Sequence, residues 1–238
     1  IIDGCLFELS YLKNIPLALE EEWPRRQPRV RPFRFGEGIG GNQLPLPRVN
    51  YNPDIVRFYQ RGMSTDDPVI QFLSFYHVLE YFFVRVANEH LYRKLAQRIN
   101  DPKFSTSPAN LDRVIRDILT HKRETDETEM LKLVLTKFVD EAELIEFIKA
   151  YESYLGENLY TKRRTIFGDS VEVKLVSGHT ISNVARRVKL IRNALVHSSD
   201  RYERKQRYIP TASAEKMIRR EIPLVKFLAE RVIIGSAQ

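Results

Sequence analysis

The sequence predicts a mainly α-helical protein with a small inserted β-hairpin and an irregular N-terminal extension. From residue 68 onward, apolar residues recur at three- and four-residue spacing, which is typical of helices packed in a bundle. One stretch, residues 164–176, instead alternates apolar and polar residues as a strand does. Five prolines and a glycine-rich run between Trp23 and Pro47 favour irregular structure. We therefore expect an extension over residues 1–62 and a helical domain over residues 63–238.

Composition narrows the class of protein. The 238 residues, of which 43% are hydrophobic and 29% charged, suffice for a globular domain with a sizeable core. The net charge of +7 favours an acidic partner, nucleic acid first, although a solvated basic surface gives the same value. The single cysteine, Cys5, excludes an internal disulfide framework and a cysteine-ligated zinc, and suits a reducing cytoplasm. No apolar run reaches the ~20 residues that span a bilayer, so we expect no membrane segment.

The extension is basic between Arg25 and Arg34, where five arginines accompany Phe33 and Phe35. An arm that contacts nucleic acid, with the phenylalanines as stacking groups, explains these residues. A loop that lies over the bundle with aromatic anchors explains them as well, and we favour it. Because the chain does not begin with Met, we expect a processed piece or a domain of a longer protein, with room for an N-terminal sensor domain upstream.

A long helix is predicted from the cap Asp67–Pro68 to about Ile99. Glu80 lies within its apolar stretch, where a carboxylate is costly unless it is paired. It either faces an arginine of the later motif or lies at the solvent edge of the helix. His77 and Glu80 have the spacing to share a metal, but no second His–carboxylate pair completes a di-metal site, so we expect no metal. The apolar stripe consists of Phe72, Phe75, Tyr76, Leu79, Phe83 and Val86.

Further helices are predicted from Ser107–Pro108 and over about residues 129–139 and 141–155, with residues 122–128 as a polar loop. Gly156 is expected to cap the third of these helices. A hairpin turning at Gly168–Asp169 precedes the next helix, because Val171, Val173 and Leu175 alternate with charged residues. The last helix begins near Ser213, and Pro223 is expected to kink or split it.

The stretch Ile191–Ser199 ends a basic amphipathic helix whose apolar stripe is Ile181, Val184, Ala185, Val188, Ile191 and Leu195. Asn193 and His197 are four residues apart, so their side chains lie one turn apart on one face, with Arg192 beside them. This set suits a phosphodiester. A guanidinium binds phosphate through two parallel hydrogen bonds, and an imidazole with an ordinary pKa of about 6.5 transfers protons near neutral pH.

The Arg-Asn-x-x-x-His pattern at Arg192–His197 resembles the signature of HEPN ribonucleases, which occur in prokaryotic defence and toxin proteins. Residues 72–83 are similar to the Apea-like HEPN branch. The resemblance covers Tyr51 to the C-terminus.

The spacing from Arg to His is not specific on its own. Arg85 to His90 and Arg116 to His121 repeat it. Only Arg192 is followed by Asn, by the end of a helix and by a final helical segment.

The resemblance implies a metal-independent endoribonuclease without a cofactor. In such an enzyme the RNA 2′-hydroxyl attacks the adjacent phosphorus and leaves a 2′,3′-cyclic phosphate and a 5′-hydroxyl. His197 acts as general acid or base, Arg192 stabilises charge on the phosphate, and Asn193 orients His197 or the phosphate. Glu80 fixes the guanidinium of Arg192. Two subunits bring their motifs together across a two-fold axis, so the resemblance implies a homodimer with a composite site.

Basic residues near the motif are the expected contacts with the RNA backbone. They are Arg187, Lys189, Arg201, Arg204, Lys205 and Arg207. Ser199 stands where a toxin branch controlled by nucleotidyl transfer has a Tyr, so tyrosine AMPylation of that kind is not expected. The alternative function is a non-catalytic RNA-binding or dimerisation module coupled to another domain. In a purely structural account, Asn193 and His197 cap the helix C-terminus, where a His is favourable.

Overall fold

A computed structural model of the protein describes residues 50–124, 126–197 and 207–237. The described chain is mainly α-helical, as predicted, with a single small antiparallel sheet in these ranges. The helices are α1 (Pro53–Met63), α2 (Pro68–Glu80), α3 (Phe83–Ile99), α4 (Pro108–Glu124), α5 (Glu127–Phe138), α6 (Glu141–Leu155), α7 (Thr180–Val196) and α8 (Ala212–Gly235). The strands β1 (Arg164–Ile166) and β2 (Asp169–Val171) lie between α6 and α7.

Helix α2 is central to the bundle because it packs against α1, α5, α7 and α8. Its aromatic stripe supplies the core: Phe72, Phe75 and Tyr76 are at most 1% exposed. The start of α2 follows from local chemistry, since the Asp67 side chain accepts hydrogen bonds from Val69 N and Ile70 N. On the other side of the bundle, α5 packs against α3 and α7.

The prediction of one long helix over residues 67–99 is wrong, because the helix is broken at Tyr81–Phe82. Phe82 N donates to Leu79 O over 3.2 Å, a tighter turn than that of an α-helix. Phe82 is 1% exposed, and its ring centroid lies 5.2 Å from that of Phe138 on α5. The turn therefore brings Phe82 as well as the neighbouring Phe83 into the core.

Helix α1 extends the bundle toward the N-terminus. Asn52 caps it by accepting from Asp54 N over 2.9 Å, and Ile55 is fully buried. The predicted boundary between residues 62 and 63 falls inside this helix.

The predicted hairpin is present, with Arg164 paired to Val171 and Ile166 paired to Asp169. The turn lies at Phe167–Gly168, one residue before the predicted Gly168–Asp169, because Asp169 pairs with Ile166 in β2. Phe167 and Gly168 have φ of 45° and 84°, and two positive φ values are typical of a tight type I′ turn. Gly156 ends α6 with φ of 68°, which confirms the expected cap. Helix α8 continues through Pro223 without the predicted split.

The stretch Pro68–Ile99 is long and apolar enough to cross a membrane by length and composition, but half of its most apolar part is buried in the bundle. Core helices of globular proteins have the same properties, so this stretch is weak evidence for a membrane span.

Candidate functional site

The C-terminal half of α7 places Arg192 between two other helices. Val188 and Ile191 are buried on the core face of α7, and the neighbouring Arg192 side chain is 19% exposed. Its Nη2 lies 3.4 Å from Glu80 Oε1 at the end of α2 and 3.3 Å from Glu127 Oε1 at the start of α5. The contact with an arginine of the motif, one of the two positions predicted for Glu80, is therefore present.

Two further side chains complete the surroundings of this arginine. Tyr76 OH donates to Glu127 Oε1 over 2.8 Å, and the Tyr76 ring centroid lies 5.6 Å from Arg192 Cζ. Lys189, one turn before Arg192, pairs with Glu127 Oε2. We call these five residues, Tyr76, Glu80, Glu127, Lys189 and Arg192, the Arg192 cluster. Its two carboxylates balance its two cations, so the cluster holds the guanidinium in place without net charge.

Burial changes the titration of the cluster. Desolvation raises the pKa of Tyr76 well above 10.0, although the nearby Arg192 charge opposes the shift. Desolvation and the charge of Arg192 lower the pKa of Lys189. Desolvation also lowers the pKa of His77, whose Nε2 lies 3.9 Å from Glu80 Oε2, while the Glu80 carboxylate opposes that shift. At neutral pH, Tyr76 therefore stays a neutral hydrogen-bond donor to Glu127.

Sequence reasoning missed Glu127, because it assigned residues 122–128 to a polar loop. Helix α5 begins at Glu127 instead, and Asp126 caps it by accepting from Glu129 N over 2.8 Å. An Asp followed three residues later by Glu, just before an apolar run, is a recognised start signal for a helix. That signal was enough to place Glu127 in the first turn of α5, but not to show that it faces Arg192.

Asn193 and His197 lie at the end of α7. His197 N donates to Asn193 O over 2.9 Å, and His197, with φ of −97° and ψ of 100°, ends the helix with its side chain exposed. Asn193 Oδ1 is buried and has no hydrogen-bond partner among the described residues. Tyr208 N donates to Ala194 O over 2.9 Å, which ties the segment after residue 206 to this helix end. The acceptor of Asn193 and the exposed imidazole of His197 thus follow Arg192 by one and five residues.

The residues expected to contact RNA differ in their exposure to solvent. Arg187 is completely buried and paired with Glu221 on α8, so the prediction that it contacts the RNA backbone beside the motif is wrong. The Lys189 side chain is 15% exposed and paired with Glu127. Arg207 is partly exposed. Arg201, Arg204 and Lys205 lie outside the described residues.

Within the described ranges, no group of three or more His, Cys, Asp or Glu side chains is placed to hold a metal ion. The catalytic roles that the resemblance implies for Arg192, Asn193 and His197 stay predictions.

Comparison with known proteins gives a family. The family model described as methylamine utilization protein MauJ matches residues 55–233. The matched range begins in α1 and ends in α8, so it includes the hairpin and the Arg192 cluster. No curated protein and no solved structure matches the chain significantly.

Proposed function

This chain belongs to the MauJ family, and we propose that it is a metal-independent endoribonuclease of the HEPN type, of the Apea-like branch, with Arg192, Asn193 and His197 as its motif. The observation that carries the proposal is the Arg192 cluster, in which α2, α5 and α7 hold the arginine that precedes the exposed His197 by five residues. The sequence motif predicted the arginine and the histidine. The stretch similar to the Apea-like branch, residues 72–83, includes Tyr76 and Glu80 of α2.

The cluster supports a role for Arg192 in phosphate binding. Both carboxylates contact the same nitrogen, Nη2, while a guanidinium has five N–H donors in a fixed fork. Donors therefore remain for a phosphate oxygen after the arginine has been oriented. Because the cluster carries no net charge, a bound phosphodiester needs further cations. Exposed Arg186, six residues before Arg192, and the basic stretch of Arg201, Arg204, Lys205 and Arg207 after the motif are the supply along the chain.

The chemistry requires one proton to leave the 2′-hydroxyl and another to reach the departing 5′-oxygen. In an in-line displacement these two oxygens lie on opposite sides of the phosphorus, so a single imidazole cannot serve both of them at once. His197 supplies one of the two groups, and His197 of a second copy supplies the other. The need for two groups on opposite sides of the phosphorus favours a homodimer with a composite site. Asn193 Oδ1, which has no partner among the described residues, is available to orient the imidazole or a bound ribose hydroxyl.

The experiment is cleavage of a mixed RNA and tRNA pool in EDTA, with the product ends identified. We expect the wild type to leave 2′,3′-cyclic phosphate and 5′-hydroxyl ends, and Arg192→Ala and His197→Ala to lose activity by about a hundredfold or more. Arg85→Ala and His90→Ala are matched controls, because they have the same Arg-to-His spacing on α3 with exposed side chains. Both controls should cleave as the wild type does.

Intact RNA that binds wild type and motif variants equally would contradict catalysis and favour the alternative, a non-catalytic RNA-binding or dimerisation module. Cleavage that survives both motif substitutions would place the active site elsewhere. The resemblance implies a defence or toxin role, whereas the family description refers to methylamine utilization. The assay tests the activity in either setting.

A further inference from the structure

A cleft of about 390 Å³ lies between the hairpin and the start of α8, and no residue of the Arg192 cluster lines it. Arg164 on β1 and Lys216 and Arg220 on α8 line this cleft. Arg164 and Arg220 share one carboxylate, Glu157, with Arg164 Nη2 at 3.0 Å from Oε2. Lys216 is exposed and has no ionic partner within the described residues. Three cations thus face the cleft with one carboxylate to balance them.

The floor of the cleft contains a buried charge with an unused donor. Arg187 is 0% exposed, and its Nε and Nη2 donate to the two Glu221 oxygens over 2.9 and 2.6 Å. Its third nitrogen, Nη1, is buried and has no hydrogen-bond partner among the described residues. A buried donor without an acceptor is costly, and most such groups in folded proteins have a partner. Because Arg187 lines the cleft, an acceptor on a bound ligand is a candidate partner for this nitrogen.

The rest of the lining favours a ligand with one anionic end. Ser213, in the first turn of the 24-residue helix α8, lies at the cleft, and helix N-termini attract anions through their free N–H groups and the helix dipole. Leu159, Ile166 and Met217 add an apolar wall. The volume is within the range of small-molecule sites, roughly 300 to 1,000 Å³.

We propose that this cleft binds a phosphomonoester of mononucleotide size. The charges of Arg187 and Glu221 cancel each other. Arg164, Lys216 and Arg220, together with the carboxylate of Glu157, therefore carry an excess of two positive charges. A phosphomonoester carries nearly two negative charges at neutral pH and matches this excess, whereas a carboxylate neutralises only half of it. The phosphate lies against Lys216, Arg220 and the start of α8, and the apolar wall contacts the rest of the ligand. The phosphate comes from a free nucleotide or from the 5′ end of an RNA.

The test is calorimetric titration of the purified chain at low salt with inorganic phosphate, AMP and adenosine. We expect AMP to bind more tightly than inorganic phosphate, and adenosine not to bind. Lys216→Glu should weaken AMP binding by about tenfold or more, the loss of at least one charge-assisted contact. Lys149→Glu on α6 is the matched control, because Lys149 is also exposed and does not line the cleft. It should bind AMP as the wild type does.

A second variant and a second pair of ligands complete the test. Ser213→Glu adds a negative charge where a helix start tolerates it, so the fold is kept while the phosphate is repelled. Short RNAs with and without a 5′-phosphate distinguish the sources: binding that needs both the 5′-phosphate and Lys216 assigns the cleft to an RNA end. Equal binding of AMP and adenosine, or unchanged AMP binding by both cleft variants, overturns the proposal. None of these readouts requires RNA cleavage.

Discussion

The Arg187–Glu221 pair is the most deeply buried pair of charges among the described residues, with side chains that are 0% and 2% exposed. Its bidentate geometry satisfies both carboxylate oxygens, and the Tyr160 ring centroid lies 5.0 Å from Arg187 Cζ. An intact pair of this kind contributes little net stability, because desolvation offsets the attraction. A broken pair is different, since it leaves one charge buried without compensation.

We therefore expect Glu221→Gln to lower the free energy of unfolding by about 3–5 kcal/mol, the usual cost of removing one partner of a buried ion pair. Chemical denaturation measures this change. Glu146→Gln is the control, because Glu146 on the neighbouring α6 is exposed and its substitution should be neutral. The double variant Arg187→Met/Glu221→Leu should recover most of the loss. Equal stabilities for Glu221→Gln and the wild type would show that the buried charge is compensated elsewhere.

The periodicity of α7 shows why Arg187 was misplaced by sequence reasoning. Arg187 lies next to Val188 at the edge of the apolar stripe, and a charged residue at such an edge is usually solvated. What buries it is Glu221, 34 residues later on α8. A pattern along one helix predicts a face but not the residue that meets it. The same limit applies to Glu127, whose contact with Arg192 spans 65 residues.

At the scale of the elements, the starts and ends marked by local chemistry were predictable. Asp67 with Pro68 begins α2, and Gly156 ends α6. The break at Tyr81–Phe82 was not predictable, because neither glycine nor proline marks it. It depends on the packing of Phe82 against Phe138, which lies 56 residues away, and contacts of that range are absent from any local pattern.

Helices α1 and α2 approach closely at Gly62, and the contact leaves no space for a larger side chain at this position. A β-carbon at position 62 would lie 2.8 Å from Cε1 of Phe75, a ring that is 1% exposed and packed against Tyr59. Alanine favours a helix over glycine by up to about 1 kcal/mol. The clash outweighs that gain, because the buried ring has no space to move, and overpacking typically costs about 1–3 kcal/mol.

Gly62→Ala should therefore lower the midpoint of thermal unfolding. Gln60→Ala, an exposed change on the same helix, should leave the midpoint unchanged or raise it slightly. The double variant Gly62→Ala/Phe75→Leu should regain part of the loss from the clash. A stabilising Gly62→Ala would mean that α1 can move away from α2 at little cost.

Over the whole molecule, α7 connects the two candidate sites. Arg187 faces α8 and the floor of the cleft, whereas Arg192, five residues later, faces α2 and α5. The two sites therefore share one rigid helix but use different neighbours. The sequence pointed to Arg192 through the motif. The cleft was not predictable, because it requires the hairpin, α7 and α8 to meet.

Four tyrosines whose pKa values burial raises strongly make the stability of the whole fold sensitive to high pH, and the pKa of Tyr208 shifts in the same direction. Desolvation raises the pKa of Tyr151 from 10.0 to about 12 and also raises the pKa values of Tyr59, Tyr76 and Tyr160. Because these pKa values are higher in the folded state, the stability they contribute is fully present below pH 10.0 and is lost as the pH rises above it. Lys189, whose pKa burial lowers, has the opposite sign but offsets only one of the four.

We expect the free energy of unfolding to fall between pH 10.0 and about 12, by about 1.4 kcal/mol per pH unit for each tyrosine that stays neutral. Urea denaturation at a series of pH values measures this slope. Tyr160→Phe removes the hydrogen bond from Tyr160 OH to Arg220 O, so its stability is lower below pH 10.0, but its slope above pH 10.0 should be shallower by one tyrosine. Tyr92→Phe, at a residue that is 64% exposed, should keep the wild-type slope. Equal slopes for Tyr160→Phe and the wild type would mean that Tyr160 ionises as readily in the folded chain as in the unfolded one, which its complete burial argues against.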